Sequence, residues 1–265
     1  VRACAVCRTD LQIVEGDLPL KRTPIVPGHQ AVGAIIAAGP GVASLNIGDR
    51  VGVGWLAGAC GTCARCAEGR ENLCEKARFT GWDVDGGYAS RIVADARFAF
   101  PLPEHDDDVS AAPLMCGGVI GHRALKLTGV SSGARVGLYG FGASARIAIQ
   151  LARHSGLEVY VATRSERERN RALEMGAMWA GNYGERPPRE LDAAITFAPS
   201  GDVVVAALKA LARGGIVVVN AIHLDRIPEF PYEYLWWERS LKSVANYTRR
   251  DAIELVRAIG RKLGD

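Results

Sequence analysis

The 265-residue chain predicts an α/β fold in two parts, a β-rich front domain followed by a doubly wound parallel sheet. Three observations point there. Residues 135–146 read Arg-Val-Gly-Leu-Tyr-Gly-Phe-Gly-Ala-Ser-Ala-Arg, an apolar run that stops at a glycine turn and resumes with helical apolar spacing. Beyond this stretch strand-like and helical segments alternate, the pattern of a parallel sheet. Ahead of it, short apolar runs are punctuated by Gly39, Gly41 and Gly48-Asp49, as in short strands joined by turns.

Composition narrows the function. With 48% apolar residues the chain can bury two cores. Thirty-two basic against 29 acidic residues give a balanced surface, so no nucleic-acid partner is expected. No apolar run approaches the ~20 residues that span a bilayer, so no membrane partner is expected either. The seven cysteines sit at metal-ligand spacings, which favours reduced thiolates and a cytoplasmic setting.

Residues 1–6 read as a strand already under way. Alternation along it points Cys4 into the core and Cys7 toward a site, where Cys7 could be a ligand. Pro24-Ile25-Val26-Pro27-Gly28-His29 is a turn ending in a lone histidine, before a predicted strand 31–38. Cys60-x2-Cys63-x2-Cys66-x7-Cys74 is the most specific signal in the chain. Four thiolates at this spacing can wrap one tetrahedral zinc with no open position, a structural site. Such binding is worth about 10–16 kcal/mol, enough to fold a lobe with almost no apolar core. Two disulfides in a secreted loop are the alternative.

Residues 79–94 contain the turn Asp85-Gly86-Gly87 and predict a return to β structure. An acidic linker, 102–109, precedes a predicted helix, 110–128, that opens on Ser110 and carries Cys116; a helical cysteine is ordinarily a small hydrophobe. In the glycine stretch, Gly140 permits the tight turn, Gly142 lets backbone approach a pyrophosphate, and Ala145 governs helix–strand packing. Phe141, Ala143 and Ser144 complete this candidate cofactor turn. The next strand, 158–162, ends at Thr163-Arg164-Ser165, where an acid would bind a ribose 2′-OH. With no acid present, and with Arg164 and Ser165 available to a 2′-phosphate, NADP(H) is expected over NAD(H). Arg167 and Arg171 read as a solvated helix face. Strands follow at 178–180, 192–197, 215–220 and 241–245, with helices at 203–212 and 251–262. Asn220, Ala221 and Ile222 should lie at the strands' carboxyl ends, where a nicotinamide would rest.

Tyr232, Tyr234, Trp236 and Trp237 suit a subunit contact or core. Trp55 and Trp82 flank the cysteine lobe and are placed near a substrate pocket, where indoles would suit an apolar or aromatic substrate. His122 reads as a packed helix residue, and His105, His154 and His223 receive no catalytic role.

Cys7-Arg8-Thr9-Asp10, Gly28-His29, the four-cysteine lobe, Leu114-Met115-Cys116 and the glycine turn, in that order, resemble the zinc-dependent alcohol dehydrogenases of the medium-chain dehydrogenase/reductase superfamily. The resemblance covers essentially the whole chain. It implies a GroES-like catalytic domain at 1–109, expected to be incomplete, with the structural zinc lobe at 60–74. A Rossmann NAD(P)-binding domain at 110–265 would follow, and truncation is expected at both ends. By the same resemblance Cys7, His29 and Cys116 hold a catalytic zinc, giving two Zn²⁺ per chain, and Thr9 supplies the hydroxyl that passes the alcohol proton onward. The implied reaction is reversible hydride transfer between a primary or secondary alcohol, or an aldehyde, and NAD(P), in a homo-oligomer when the chain is full length.

Two positions depart from the family pattern. Gln12 stands where many members have a histidine, and an amide cannot take up the proton. Gln30 replaces the acid that usually follows the ligand histidine, so it adds no negative charge near the metal. All seven zinc ligands are present, which disfavours the zinc-free quinone-reductase branch. A truncated chain that binds zinc and nucleotide without turnover is the rival reading. A partner-binding zinc ribbon would explain the lobe but not Cys7, His29, Cys116 or the glycine turn.

Overall fold

The computed structural model describes residues 1–104, 107–222, 224 and 226–262; His105 and His223 lie outside the described residues, as does part of the predicted 102–109 linker. The chain divides into two compact units, Val1–Val119 with Asn246–Asp265, and Ile120–Ala245. The boundary therefore falls at 119 instead of 109, and the chain's last helix joins the first unit. The reason is apolar: Val256 packs on the cluster of Val32, Leu102, Ala111, Ala112 and Met115.

The first unit contains strands β1 (Ala3–Cys4), β2 (Ala31–Ala34), β3 (Arg50–Val53), β4 (Leu56–Gly58), β5 (Arg78–Phe79) and β6 (Ala99–Pro101). β1, β2, β3 and β6 form an antiparallel sheet in that order, and β4 pairs with β5. Helices α1 (Arg8–Glu15) and α2 (Ala64–Ala67) lie between them, and α3 (Asp108–Ala111) follows β6. The predicted strand 1–6 is cut short because the chain turns into α1 at Cys7. β2 stops at Ala34, four residues before its predicted end. Of the β structure predicted for 79–94, only the end of β5 and a bridge between Thr80 and Val84 form.

The predicted helix 110–128 is broken. α3 is capped by Asp107, whose side chain accepts from the Ser110 N–H at 2.8 Å, so Ser110 lies inside the first turn and is not the cap. A 3₁₀ turn, Ala112–Met115, follows, and α4 (Gly117–Thr128) starts afresh. Pro113 has no N–H to continue an α ladder, and Gly117-Gly118 lowers helix propensity just beyond it. Cys116 sits at the break with φ −129° and ψ −73°.

The second unit carries β7 (Arg135–Tyr139), α5 (Ala143–His154), β8 (Glu158–Ala162), α6 (Glu166–Glu174), β9 (Trp179–Gly181), β10 (Leu191–Thr196), α7 (Gly201–Lys209), β11 (Leu211–Val219) and β12 (Ser240–Ser243). α8 (Arg249–Lys262) returns to the first unit. The six strands are parallel in the order β12-β11-β10-β7-β8-β9, the doubly wound arrangement whose strand order reverses beside β7. Apolar clusters cover both faces: Val136, Leu138, Val159, Val161 and Ile195 on one, Tyr139, Tyr160, Ala194, Val217 and Val219 on the other. Burial on both sides explains why these strands are continuous apolar runs. α7 ends at Lys209, earlier than predicted, and Gly214-Gly215 lies within β11 instead of ending a helix. Tyr234 and Leu235 pack on the core, whereas Tyr232, Trp236 and Trp237 are exposed. Among the described residues no helix is long and apolar enough to cross a membrane.

Arg135 and Asp192 tie β7 to β10 with two parallel side-chain bonds, Nε to Oδ2 at 3.0 Å and Nη2 to Oδ1 at 2.8 Å. Burial opposes the Asp192 charge, but the Arg135 contacts outweigh it and hold the carboxyl below the usual range. Asp192→Asn should cost about 1 kcal/mol near neutral pH. A depressed folded-state pKa gives stability that is complete above the unfolded value, about 3.9, and is lost as pH falls through the folded one. Urea unfolding should therefore show the gap between wild type and variant at pH 7 and its narrowing in acid.

Candidate metal centres and nucleotide-binding turn

The lobe between β4 and β5 brings Cys60, Cys63, Cys66 and Cys74 together with every sulfur within 4.8 Å of the others. Cys60 Sγ and Cys66 Sγ are 3.9 Å apart, close to the roughly 3.8 Å that two thiolates on one tetrahedral zinc require. Cys60 Sγ accepts from the N–H groups of Thr62 (3.5 Å) and Cys63 (3.3 Å), and Cys74 Sγ accepts from that of Cys60 (3.5 Å). Those donors, Thr62 first, pull the Cys60 thiol down to about 5. The donor set fits a closed, soft-metal site. Neither these cysteines nor the remaining three form a disulfide. Glu71, in the same lobe, accepts from the Arg249 N–H at 3.1 Å and so receives the first turn of α8.

The second cluster gathers residues far apart in sequence. Cys7 is the N-cap of α1, His29 follows the left-handed Gly28 (φ +99°), and Cys116 occupies the helix break. Their three ligand atoms also lie within 4.8 Å of one another. His29 is only 1% exposed, and beneath it lies Asp10, 2% exposed. Asp10 Oδ1 meets His29 Nδ1 at 2.9 Å and accepts from the Gly28 N–H at 3.1 Å. Its Oδ2 accepts from the Cys7 N–H at 2.9 Å and from the Tyr88 hydroxyl at 3.0 Å. With Nδ1 committed to the carboxylate, Nε2 is the nitrogen left for a metal.

The electrostatics also call for a cation. The contact with Cys116, followed by His29, draws the Cys7 thiol down to about 4, and the same contact, together with burial, pushes Cys116 up. Burial opposes a charged His29, yet Asp10 and Cys7 outweigh it and raise the imidazole to about 9. Protons therefore stand where a bound metal would put its charge, and loading would expel them. Two sulfurs and a nitrogen leave one tetrahedral position open, the arrangement of catalytic zinc.

Thr9, Gln12 and Gln30 are buried around this cluster. Thr9 Oγ1 is 4.0 Å from Cys7 Sγ, and Gln30 Nε2 donates to the Ala5 carbonyl at 3.3 Å. Cys4 is not among the ligands, and burial raises its thiol. Trp55 meets the His29 ring edge-to-face at 5.0 Å and stacks on Phe79 and Trp82. Trp82 is pinned by the Lys21 ammonium 3.8 Å from its ring centre and by its own N–H to the Pro19 carbonyl. The sequence reading missed Asp10 and Tyr88. Asp10 had a visible signal, an acid in the first turn three residues after a ligand cysteine; Tyr88 had none.

In the second unit the glycine turn closes the end of β7. Gly140 has φ +95°, and a Cβ there would lie 2.8 Å from the Ala198 nitrogen. Gly142 caps α5 with no side-chain hydrogen bond, and nothing lies within 4 Å of its Cβ position. Ala143 is exposed and Ser144 half-buried, while Phe141 and Ala145 are buried in the core. The first-turn N–H groups of α5 thus border open space, as an anion site requires. At the end of β8 Thr163 is buried, and Arg164 and Ser165 are exposed. Ser165 caps α6 by accepting from the Glu168 N–H at 3.3 Å. Arg169 braces this corner from behind, donating to the carbonyls of Thr163 (3.0 Å) and Arg164 (2.9 Å). Arg167 and Arg171 are exposed, as expected of a solvated face. Asn220 and Ala221, half-buried, and Ile222, exposed, follow β11. Since β7, β8 and β11 are parallel, all three segments fall at the same edge of the sheet.

Comparison with known proteins matches two stretches of the chain to two family models. Residues 1–104 match the family model of the alcohol dehydrogenase GroES-like domain, and residues 145–261 match that of the zinc-binding dehydrogenases. A probable alcohol dehydrogenase AdhA of Mycobacterium tuberculosis is 49% identical over 258 residues, covering 95% of this chain and 75% of the relative. An alcohol dehydrogenase of Geobacillus stearothermophilus is 37% identical, over 86% of this chain and 70% of its own length. Among solved structures, the CAD of Helicobacter pylori complexed with NADP(H) superposes with a TM-score of 0.88 at 26% identity. That match covers 98% of this chain and 78% of the other.

The two glycines of the turn separate folding from binding. Gly140→Ala combines a left-handed φ with a backbone clash and should cost about 1–3 kcal/mol, read as a lower thermal midpoint. Gly142→Ala, at an ordinary φ of −89° with open space, should leave the midpoint unchanged while weakening dinucleotide binding roughly tenfold in a fluorescence titration.

Proposed function

The chain belongs to the zinc-dependent alcohol dehydrogenases of the medium-chain dehydrogenase/reductase superfamily, and we infer that it catalyses reversible hydride transfer between an alcohol or aldehyde and a nicotinamide cofactor. The observation that carries this reading is the convergence of Cys7, His29 and Cys116 within 4.8 Å, with Asp10 fixing the imidazole. A zinc ion held there supplies the Lewis acidity that lowers an alcohol's pKa or polarises an aldehyde carbonyl.

The chain's own residues do the rest. Asp10 holds His29 in one tautomer and one orientation. Thr9, buried beside Cys7, is the hydroxyl through which the alcohol proton leaves. Gln12 is an amide and cannot take up that proton, so this side chain plays no part in passing it beyond Thr9. The N–H groups of Ala143 and Ser144 bind the pyrophosphate, and Gly142 admits it. The stacked rings of Trp55, Phe79 and Trp82 favour an apolar or aromatic substituent on the substrate.

Three finer readings accompany this one. Each chain holds two zincs, a catalytic one at Cys7, His29 and Cys116 and a structural one at Cys60, Cys63, Cys66 and Cys74. NADP(H) is preferred, because the β8 corner presents Arg164 and Ser165 and no carboxylate that would repel a 2′-phosphate. The exposed Tyr232, Trp236 and Trp237 suit a contact between copies.

Elemental analysis of purified protein should find two zincs per chain. Cys116→Ser should lower the count to one with little change in thermal midpoint, whereas Cys74→Ser should lose the lobe metal and several kcal/mol of stability. NADPH oxidation with simple aldehydes tests the reaction itself; absence of turnover in a chain carrying two zincs and bound nucleotide would sink this reading. Arg164→Gln should raise the KM for NADPH about 10- to 100-fold, the worth of a charge-assisted contact, and leave the KM for NADH nearly unchanged.

A further inference from the structure

We propose that Tyr88 is a positioning residue for the Cys7–His29–Cys116 centre, its phenol fixing the Asp10 carboxylate that in turn fixes both His29 and the Cys7 end of α1. The inference rests on the metal-site reading above and extends it to a side chain that touches no ligand atom.

The geometry is that of a clamp. Asp10 Oδ1 serves His29 Nδ1 and the Gly28 N–H. Oδ2 serves the Cys7 N–H at 2.9 Å and the Tyr88 hydroxyl at 3.0 Å. Without the phenol, Oδ2 keeps only the Cys7 N–H, and the carboxylate is held less firmly against turning about its Cβ–Cγ bond. Turning would carry Oδ1 away from His29 and Oδ2 away from Cys7. Two ligands of the three are thus steered by one carboxylate and, through it, by one hydroxyl.

Tyr88 is itself held in place. Its N–H donates to the Pro27 carbonyl at 3.1 Å, and the preceding Gly87 N–H donates to the Gly28 carbonyl at 2.7 Å. A Cβ on Gly28 would lie 2.8 Å from the Tyr88 ring and backbone, so the ring is seated on the turn that delivers His29. The hydroxyl also lies 3.3 Å from the Ala5 carbonyl, but it has one proton to donate, and the carboxylate is the nearer and stronger acceptor. Burial, then the nearby Asp10 charge, pushes the phenol's pKa up, so it remains a donor throughout the working range.

The ring is partly exposed, so Tyr88→Phe removes the hydroxyl and keeps the packing. Groups bonded directly to a ligand, as Asp10 is, typically contribute about 10- to 100-fold to metal affinity, and Tyr88 acts one hydrogen bond further out. Zinc-loaded protein is mixed with excess 4-(2-pyridylazo)resorcinol, and release is followed by absorbance. Tyr88→Phe should release one zinc per chain at least about 3-fold faster than wild type, below the roughly 10- to 100-fold of a direct ligand partner, while the lobe zinc leaves at an unchanged rate. In cobalt-substituted protein the same change should shift the visible bands of the centre. In an Asp10→Ala background, Tyr88→Phe should add less than about twofold, because the route through the carboxylate is gone. Unchanged release and unchanged bands in the single variant would overturn the proposal. So would an equal acceleration in both backgrounds, which is the signature of packing alone. Wild-type protein that holds only the lobe zinc would instead refute the underlying metal-site reading, a result distinct from either.

Discussion

A single buried carboxylate organises the first unit. Asp10 is almost fully enclosed, and an enclosed charge is tolerated only when its lone pairs are answered. Here the answers come from four places: the N-cap of α1, the turn before β2, the His29 ring and the loop after β5. Each donor lies on a segment that has little regular structure to hold it. The same contacts explain why α1 begins where it does. Cys7 offers no oxygen to cap the helix, and the acid at the third helical position reaches back to the Cys7 N–H instead. One side chain thereby starts a helix, closes a turn and orients an imidazole.

What could be read from the sequence follows the range of the forces involved. The parallel sheet was legible because its central strands β7, β8, β10 and β11 are largely buried and show as apolar runs; β8 falls at the predicted residues, and the other strands lie within a few positions of theirs. The lobe was legible because its four ligands lie within 15 residues. The second centre's ligands could be named by resemblance, but not the reason they meet. That reason is Asp10 and Tyr88, whose contacts cross gaps of 19 and 78 residues. The helix break at Cys116 was missed although Pro113 and the Gly117-Gly118 pair were in view, because apolar spacing on either side reads as one continuous helix. Within the predicted 79–94 segment the turn at 85–87 was recognised, but the strand expected after it did not form, since turn chemistry fixes a reversal and not the pairing that follows it.

The broken helix repays the chain for its lost hydrogen bonds. A cysteine in an unbroken helix would have its direction set by the helix axis. At a junction between a 3₁₀ turn and a new α-helix, its φ and ψ are free to take the values that aim the sulfur at Cys7 and His29. Gly54 shows how closely this junction is packed: a Cβ there would strike the Met115 carbonyl and the Tyr247 hydroxyl. Backbone irregularity of this kind gathers at functional positions, where surrounding contacts hold it in place.

The spacing of the two ligand sets also imposes an order on the life of the chain. The lobe's cysteines are 14 positions apart from first to last, whereas Cys7 and Cys116 are separated by 109. Loop-closure entropy makes the longer circuit dearer by about 2 kcal/mol, and the short one is complete as soon as Cys74 leaves the ribosome. On the two-zinc reading, a nascent chain fills the lobe before Cys116 is made. Under metal scarcity the chain would acquire its shape before it acquired its chemistry.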